Sequence, residues 1–232
     1  MIAEKSRERE NFSPKQVLNS LSATAIQFAK IKRAPIYSPD HSENNAEHTF
    51  MLCLVAPELA REFYPDLDEG LILQYTAVHD LVELETGDQV SLNLTMKQIQ
   101  EKSVREKKSL ELLSKKLPPL TMQRLIDYES QRHKEARFVK AVDKLLPSTT
   151  DLYMVMMDRS NIIQDRMERI FNIKTLNDLK KSHQRYLENF RERFGVEFPE
   201  LAELLEEQTN DLVSKIKFLD DPQMMLSDYF DL

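Results

Sequence analysis

The stretch QYTAVHDLVELETGD, residues 74–88, decides how the rest of the chain is read. Its first half has the apolar spacing of a helix laid on a core. From residue 79 onward it sets His79 beside Asp80, then Glu83, then Gly87 and Asp88. A helix that serves only the core has no use for this polar cluster. Neighbours on a helix diverge by about 100°, so His79 and Asp80 both reach one point only if it lies in a cleft beside the helix. Imidazole nitrogen and carboxylate oxygen together hold divalent ions such as Mn, Co, Fe, Zn or Mg. Standing alone, the pair reads first as a buried histidine next to a surface aspartate.

The surrounding chain is helical in character. Three glycines, Gly70, Gly87 and Gly195, occur in 232 residues. Folds rich in β-structure spend glycine on turns, so this scarcity predicts an all-α protein. Ser13-Pro14 with Gln16 is a helix start, and apolar spacing carries that helix to about residue 32. The segment RAPIYSPDHSENN, with two prolines, reads as a loop. Helices follow at about 45–63, with Pro57 expected to kink or divide it, and at 68–85, ended by Gly87. Further helices are predicted at 95–116, at 119–131, at 134–157 with a break or bend at Pro147, at 175–194 and at 199–217. An acidic tail closes the chain. The simplest partition is one helical unit over 14–158 and a C-terminal helical extension over 159–232 packed on it.

Composition narrows the function. A net charge of −7 spread along the chain opposes a nucleic-acid backbone role, while a small anionic substrate needs only a few arginines. The lone cysteine, Cys53, excludes an intramolecular disulfide and fits a reducing compartment. The charged N-terminus lacks an apolar signal region, and the longest apolar run, 50–57, is too short for a bilayer. A cytoplasmic protein with no membrane contact is the expectation.

Two further residues bear on the cleft. His48, in AEHTF, lies near the buried face of its helix, either as a hydrogen-bonded core residue or as a ligand. Asp143, in RFVKAVDKLL, sits beside an apolar stripe, where a carboxylate is costly unless paired or metal-bound. A salt bridge to Lys140 or Lys144 is the alternative.

The order His48, His79-Asp80, Asp143 resembles the H…HD…D pattern of the HD-domain metal-dependent phosphohydrolases. RAPIYSPDHSENNAEHTF, HDLVELETGD and EARFVKAVDKL resemble the compact branch of bacterial 5′-deoxynucleotidases and their eukaryotic relatives, over about residues 14–158. The resemblance implies an HD-domain helical bundle and one divalent ion held by His48, His79, Asp80 and Asp143. It implies Glu83 as the catalytic acid or base, Arg33 as the phosphate-binding residue and Asp88 at the rim of the substrate pocket. It also implies a nucleoside 5′-monophosphate as substrate and a homodimer. Beside these readings stand bland ones: Glu83 as a surface glutamate, Arg33 as a helix-end cation, Asp88 as a turn residue. Lys140 reads equally as a phosphate neighbour or a salt-bridge partner. Where the deoxynucleotidases carry tryptophan after the arginine, this chain has Ala34, which removes the expected bar to a ribose 2′-hydroxyl; Tyr37 is a candidate to fill part of that space. The alternatives are hydrolysis of an alarmone, a cyclic nucleotide or a nucleotide triphosphate, or a ligand-sensing or scaffolding role without catalysis. His183, in the helical stripe of the extension, reads as structural.

Overall fold

The computed structural model describes residues 12–38, 40–87, 96–157 and 159–216. Helix α1, Pro14–Phe28, starts on a reciprocal capping box: the Ser13 hydroxyl accepts from the Gln16 amide, and Gln16 Oε1 accepts from the Ser13 amide at 2.8 Å. Such a cap is worth about 1 kcal/mol. Asn44 and Glu47 repeat the device at α2, Asn45–Phe63. There Pro57 neither ends nor divides the helix, which runs through it.

The predicted loop between these helices is instead a short antiparallel hairpin, β1 Lys32–Ser38 and β2 His41–Asn44. Its register shifts between Lys32 and Ile36. Pro35 falls inside that irregular span, where the missing amide interrupts no regular ladder. The prolines argued against a strand, and the pairing tolerates one because it is broken there.

Helix α3, Glu69–Val78, stops earlier than predicted. Leu81, Glu83, Leu84 and Glu85 each donate to the carbonyl three residues back, so 79–85 is wound tighter than an α-helix. The one-turn helix α4, Glu83–Thr86, follows. Gly87 ends it at φ +70°, a conformation that favours glycine.

Helices α5 (Met96–Leu113), α6 (Pro119–Glu129), α7 (Lys134–Met156), α8 (Ser160–Phe171), α9 (Leu176–Phe190) and α10 (Pro199–Lys215) complete the described chain, with a π-turn, Arg191–Gly195, after α9. The all-α expectation holds, with the small hairpin as its exception. Helix α8 was not predicted; no side chain caps its start at Arg159.

Helix α7 is the axis. Helices α2, α3 and α10 pack against it. One core joins Leu52, Ile72, Phe138, Val142 and Leu145 to Phe198 and Leu205. A second, around Met154, Ile163, Met167, Leu179 and Leu212, grows from the C-terminal end of α7. Residues beyond 158 thus share core with those before it. Like α2, α7 runs through its proline, Pro147, without a break.

Candidate metal centre and substrate cleft

Four polar side chains converge where α2, the α3–α4 turn and α7 meet. His48, His79, Asp80 and Asp143 are all buried, and each offers a ligand atom within 4.8 Å of the others. Packing supplies the reason they meet: α2 and α3 both lie on α7, and each brings its polar residue at the seam.

Hydrogen bonding orients the imidazoles. His79 Nδ1 lies 2.8 Å from the Thr76 carbonyl. A carbonyl can only accept, so Nδ1 is a donor there and Nε2 faces the carboxylates. That Nε2 is 2.9 Å from Asp80 Oδ2 yet makes no hydrogen bond. His48 Nε2 lies 2.9 Å from Asp143 Oδ1, and its Nδ1 is 3.6 Å from Glu43 Oε2. Buried polar atoms lacking a bond are costly, and a divalent cation among them fits this two-nitrogen, two-oxygen set. A histidine that donates its other ring N–H to a backbone carbonyl is a common arrangement behind metal ligands.

The carboxylates are held ionised. Burial alone would raise Asp143, but Lys144, the His48 bond and Lys140 hold it well below the usual range. Lys144 Nζ is 3.0 Å and Lys140 Nζ 3.8 Å from Asp143 Oδ2. Asp80, likewise opposed by burial, is driven far down by His79, with a smaller push from Arg33. His48 is raised to about 9, because its bond to Asp143 and the nearby Glu43 carboxylate outweigh burial.

Arg33, on β1, donates from Nη1 to Asp80 Oδ2 at 2.8 Å and from Nε to Glu43 Oε2 at 3.0 Å. Glu43 also accepts from Tyr37 Oη at 2.7 Å. Tyr37 is therefore turned to Glu43 and is not among the residues lining the cleft. Glu83 accepts from Asn45 Nδ2 at 2.8 Å. The tight winding matters here: side chains three apart eclipse in such a turn, which sets Asp80 and Glu83 on one side more closely than α-helical geometry would. Both line the cleft, as do Arg33, Lys140, Asp143 and Lys144. Asp88 lies outside the described residues. The buried Asn45 and the Asp151–Arg166 pair are not singled out by the sequence, whereas Lys144, one of the two expected partners of Asp143, does pair with it.

The cleft spans about 1070 Å³ with its solvent-filled mouth included, and reaches from these residues to α8 and α9. His183, expected as structural, lines it.

A profile of the HD domain family matches residues 27–185. The chain belongs to the HD domain family. The span covered by this HD match includes α8 and part of α9. No curated protein matches the chain. Among solved structures, it is similar to a predicted metal-dependent phosphohydrolase from Magnetospirillum magnetotacticum. That structure superimposes with a TM-score of 0.64 at 18% identity, over 87% of this chain and 95% of the other. Among the described residues no helix is long and apolar enough to cross a membrane.

Proposed function

We propose that this HD-domain protein is a metal-dependent phosphohydrolase that cleaves a small phosphomonoester, a ribo- or deoxyribonucleoside 5′-monophosphate, to nucleoside and phosphate. The observation that carries the reading is the buried cluster of two histidines and two aspartates at the edge of one cleft, with arginine, lysine and glutamate beside it. His48, His79, Asp80 and Asp143 hold the divalent ion. When bound, such an ion acts as a Lewis acid on the phosphoryl group and makes water a better nucleophile at neutral pH.

The remaining work falls to the chain. Arg33 presents forked donors that match phosphate oxygens, and exchanges its bond to Asp80 for the substrate. Glu83, steadied by Asn45, moves the proton between water and leaving oxygen. Lys140 and Lys144 add positive charge at the phosphate end. The cleft lining carries four acidic and four basic side chains, so a divalent ion leaves a surplus suited to a phosphomonoester dianion and insufficient for a triphosphate. Ala34 lines the cleft, and its small side chain leaves room beside the leaving group for a 2′-hydroxyl. Asp88 belongs, in this reading, to the pocket rim. We further propose a cytoplasmic homodimer built from a unit at 14–158 and an extension at 159–232.

Phosphate release from a full panel of ribo- and deoxyribonucleoside monophosphates, with Mn or Co and then with chelator, tests the reading. Release that stops with chelator is expected. No release across the panel would overturn it.

A further inference from the structure

Helix α7 carries a second buried carboxylate into the same cleft. Asp151 lies two helical turns beyond Asp143, about 12 Å along the axis, and pairs with Arg166 of α8. Both side chains are more than nine-tenths buried. Among the described residues, Asp151 Oδ1, Arg166 Nε and His183 Nδ1 make no hydrogen bond. All three residues line the cleft, together with Ser148 and Ser182. A purely structural ion pair would be enclosed by apolar packing. This one borders an open cavity, and each partner keeps one buried polar atom without a bond.

The other walls are apolar. Met167, Phe171, Ile173 and Leu179 line the cleft there, and the Arg166 guanidinium sits 5.9 Å from the Phe171 ring centroid. Flat guanidinium and aromatic surfaces suit a planar ring. The formal charges of Asp151 and Arg166 cancel, so a second phosphate gains no unpaired cation from them. His183 adds none at neutral pH, because burial lowers it to about 4.

We infer that this part of the cleft is a recognition subsite for a neutral, planar heteroaromatic group on the substrate, with Asp151, Arg166 and His183 reading its polar edge. A nucleobase has the required shape, and presents a donor and an acceptor side by side. The two turns of α7 between Asp143 and Asp151 set this subsite apart from the phosphate end. The assignment rests on the phosphohydrolase reading for the phosphate end alone. It makes α8 and α9 the specificity element of the cleft.

Two measurements test it separately. With EDTA present, saturation-transfer NMR with adenosine, guanosine, cytidine and uridine, against ribose, reads the subsite without turnover. Transfer to base protons of at least one nucleoside is expected, and none to ribose. With Mn present, kcat/KM for each nucleoside 5′-monophosphate is divided by that for ribose 5-phosphate. We expect the best ratio to exceed about tenfold, and His183→Leu and the paired change Asp151→Leu with Arg166→Met to reduce it, mainly through KM. The paired change keeps charge balance and so guards against simple unfolding. Circular dichroism confirms that each variant is folded. A wild-type ratio near unity for every base, or variants that leave it unchanged, would overturn the subsite while the phosphohydrolase reading stands. If no phosphomonoester is cleaved, that reading fails instead, and the nucleoside signal in EDTA still decides the subsite.

Discussion

Asp143 and Asp151 stand on one face of one helix, both buried, both lining one cleft, and their carboxyl groups are pushed in opposite directions. Burial raises each. At Asp143 two lysines and His48 overcome it and hold the group ionised. At Asp151 Arg166 does not fully offset it, and the pKa stays raised. The difference is one of company: Asp143 has an excess of positive neighbours, as a site for an anion requires, whereas Asp151 has a single partner. Identical residues two turns apart therefore serve a charged and a neutral end of the same cavity.

The largest effect belongs to the charged end. Asp80→Ala should lose bound metal, measured by mass spectrometry of the purified protein, and phosphate release should fall to background. Retention of both would remove Asp80 from the ion's ligands. Next, Glu83→Ala should keep the metal while kcat drops by about 10²–10⁴, the range for a lost general acid or base. A change of a few-fold would assign its work elsewhere.

At the neutral end the effect is on stability. Asp151→Asn leaves the Arg166 charge buried without its counter-ion and should cost about 3–5 kcal/mol in urea unfolding. Asp151→Leu with Arg166→Met should regain most of it. Equal losses in the single and paired variants would mean that the two residues are not coupled.

The smallest effect is a pH slope. His183 titrates near 4 when folded, against an ordinary 6.5. Between those values the unfolded chain binds a proton that the folded chain does not, so stability falls as pH drops from 6.5 toward 4. His183→Gln should flatten that part of the curve. An unchanged slope would show that His183 is not held neutral by the fold.

Much of this was legible in the sequence, because local chemistry marks it. Ser13-Pro14-x-Gln16 and Gly87 announce helix ends through bonds and a backbone conformation that need no distant partner. The proposed ligands were found by motif, and long-range packing brings them together: His48 and Asp143 meet across 95 positions. What escaped was set by tertiary context. The hairpin pairs two short segments, one of them carrying Pro35, against propensity. The tight winding at 79–85 leaves the residue spacing of an ordinary helix intact. Helix α8 has apolar spacing but no side-chain cap at its start, and Asp151 and Arg166 look like any exposed charges on amphipathic helices until the cleft is seen between them.

One contact joins the two ends of the cleft mechanically. Arg159, just before α8, donates from Nη1 to the Tyr37 carbonyl at 2.7 Å, bridging 122 positions of sequence. The hairpin that carries Arg33 is thereby tied to the element that frames Asp151 and His183. For anyone recombining parts between relatives, α8 and α9 are not an interchangeable cassette. A chimaera that exchanges them together with Arg159, and without the matching hairpin, severs this tie to the strand that carries Arg33.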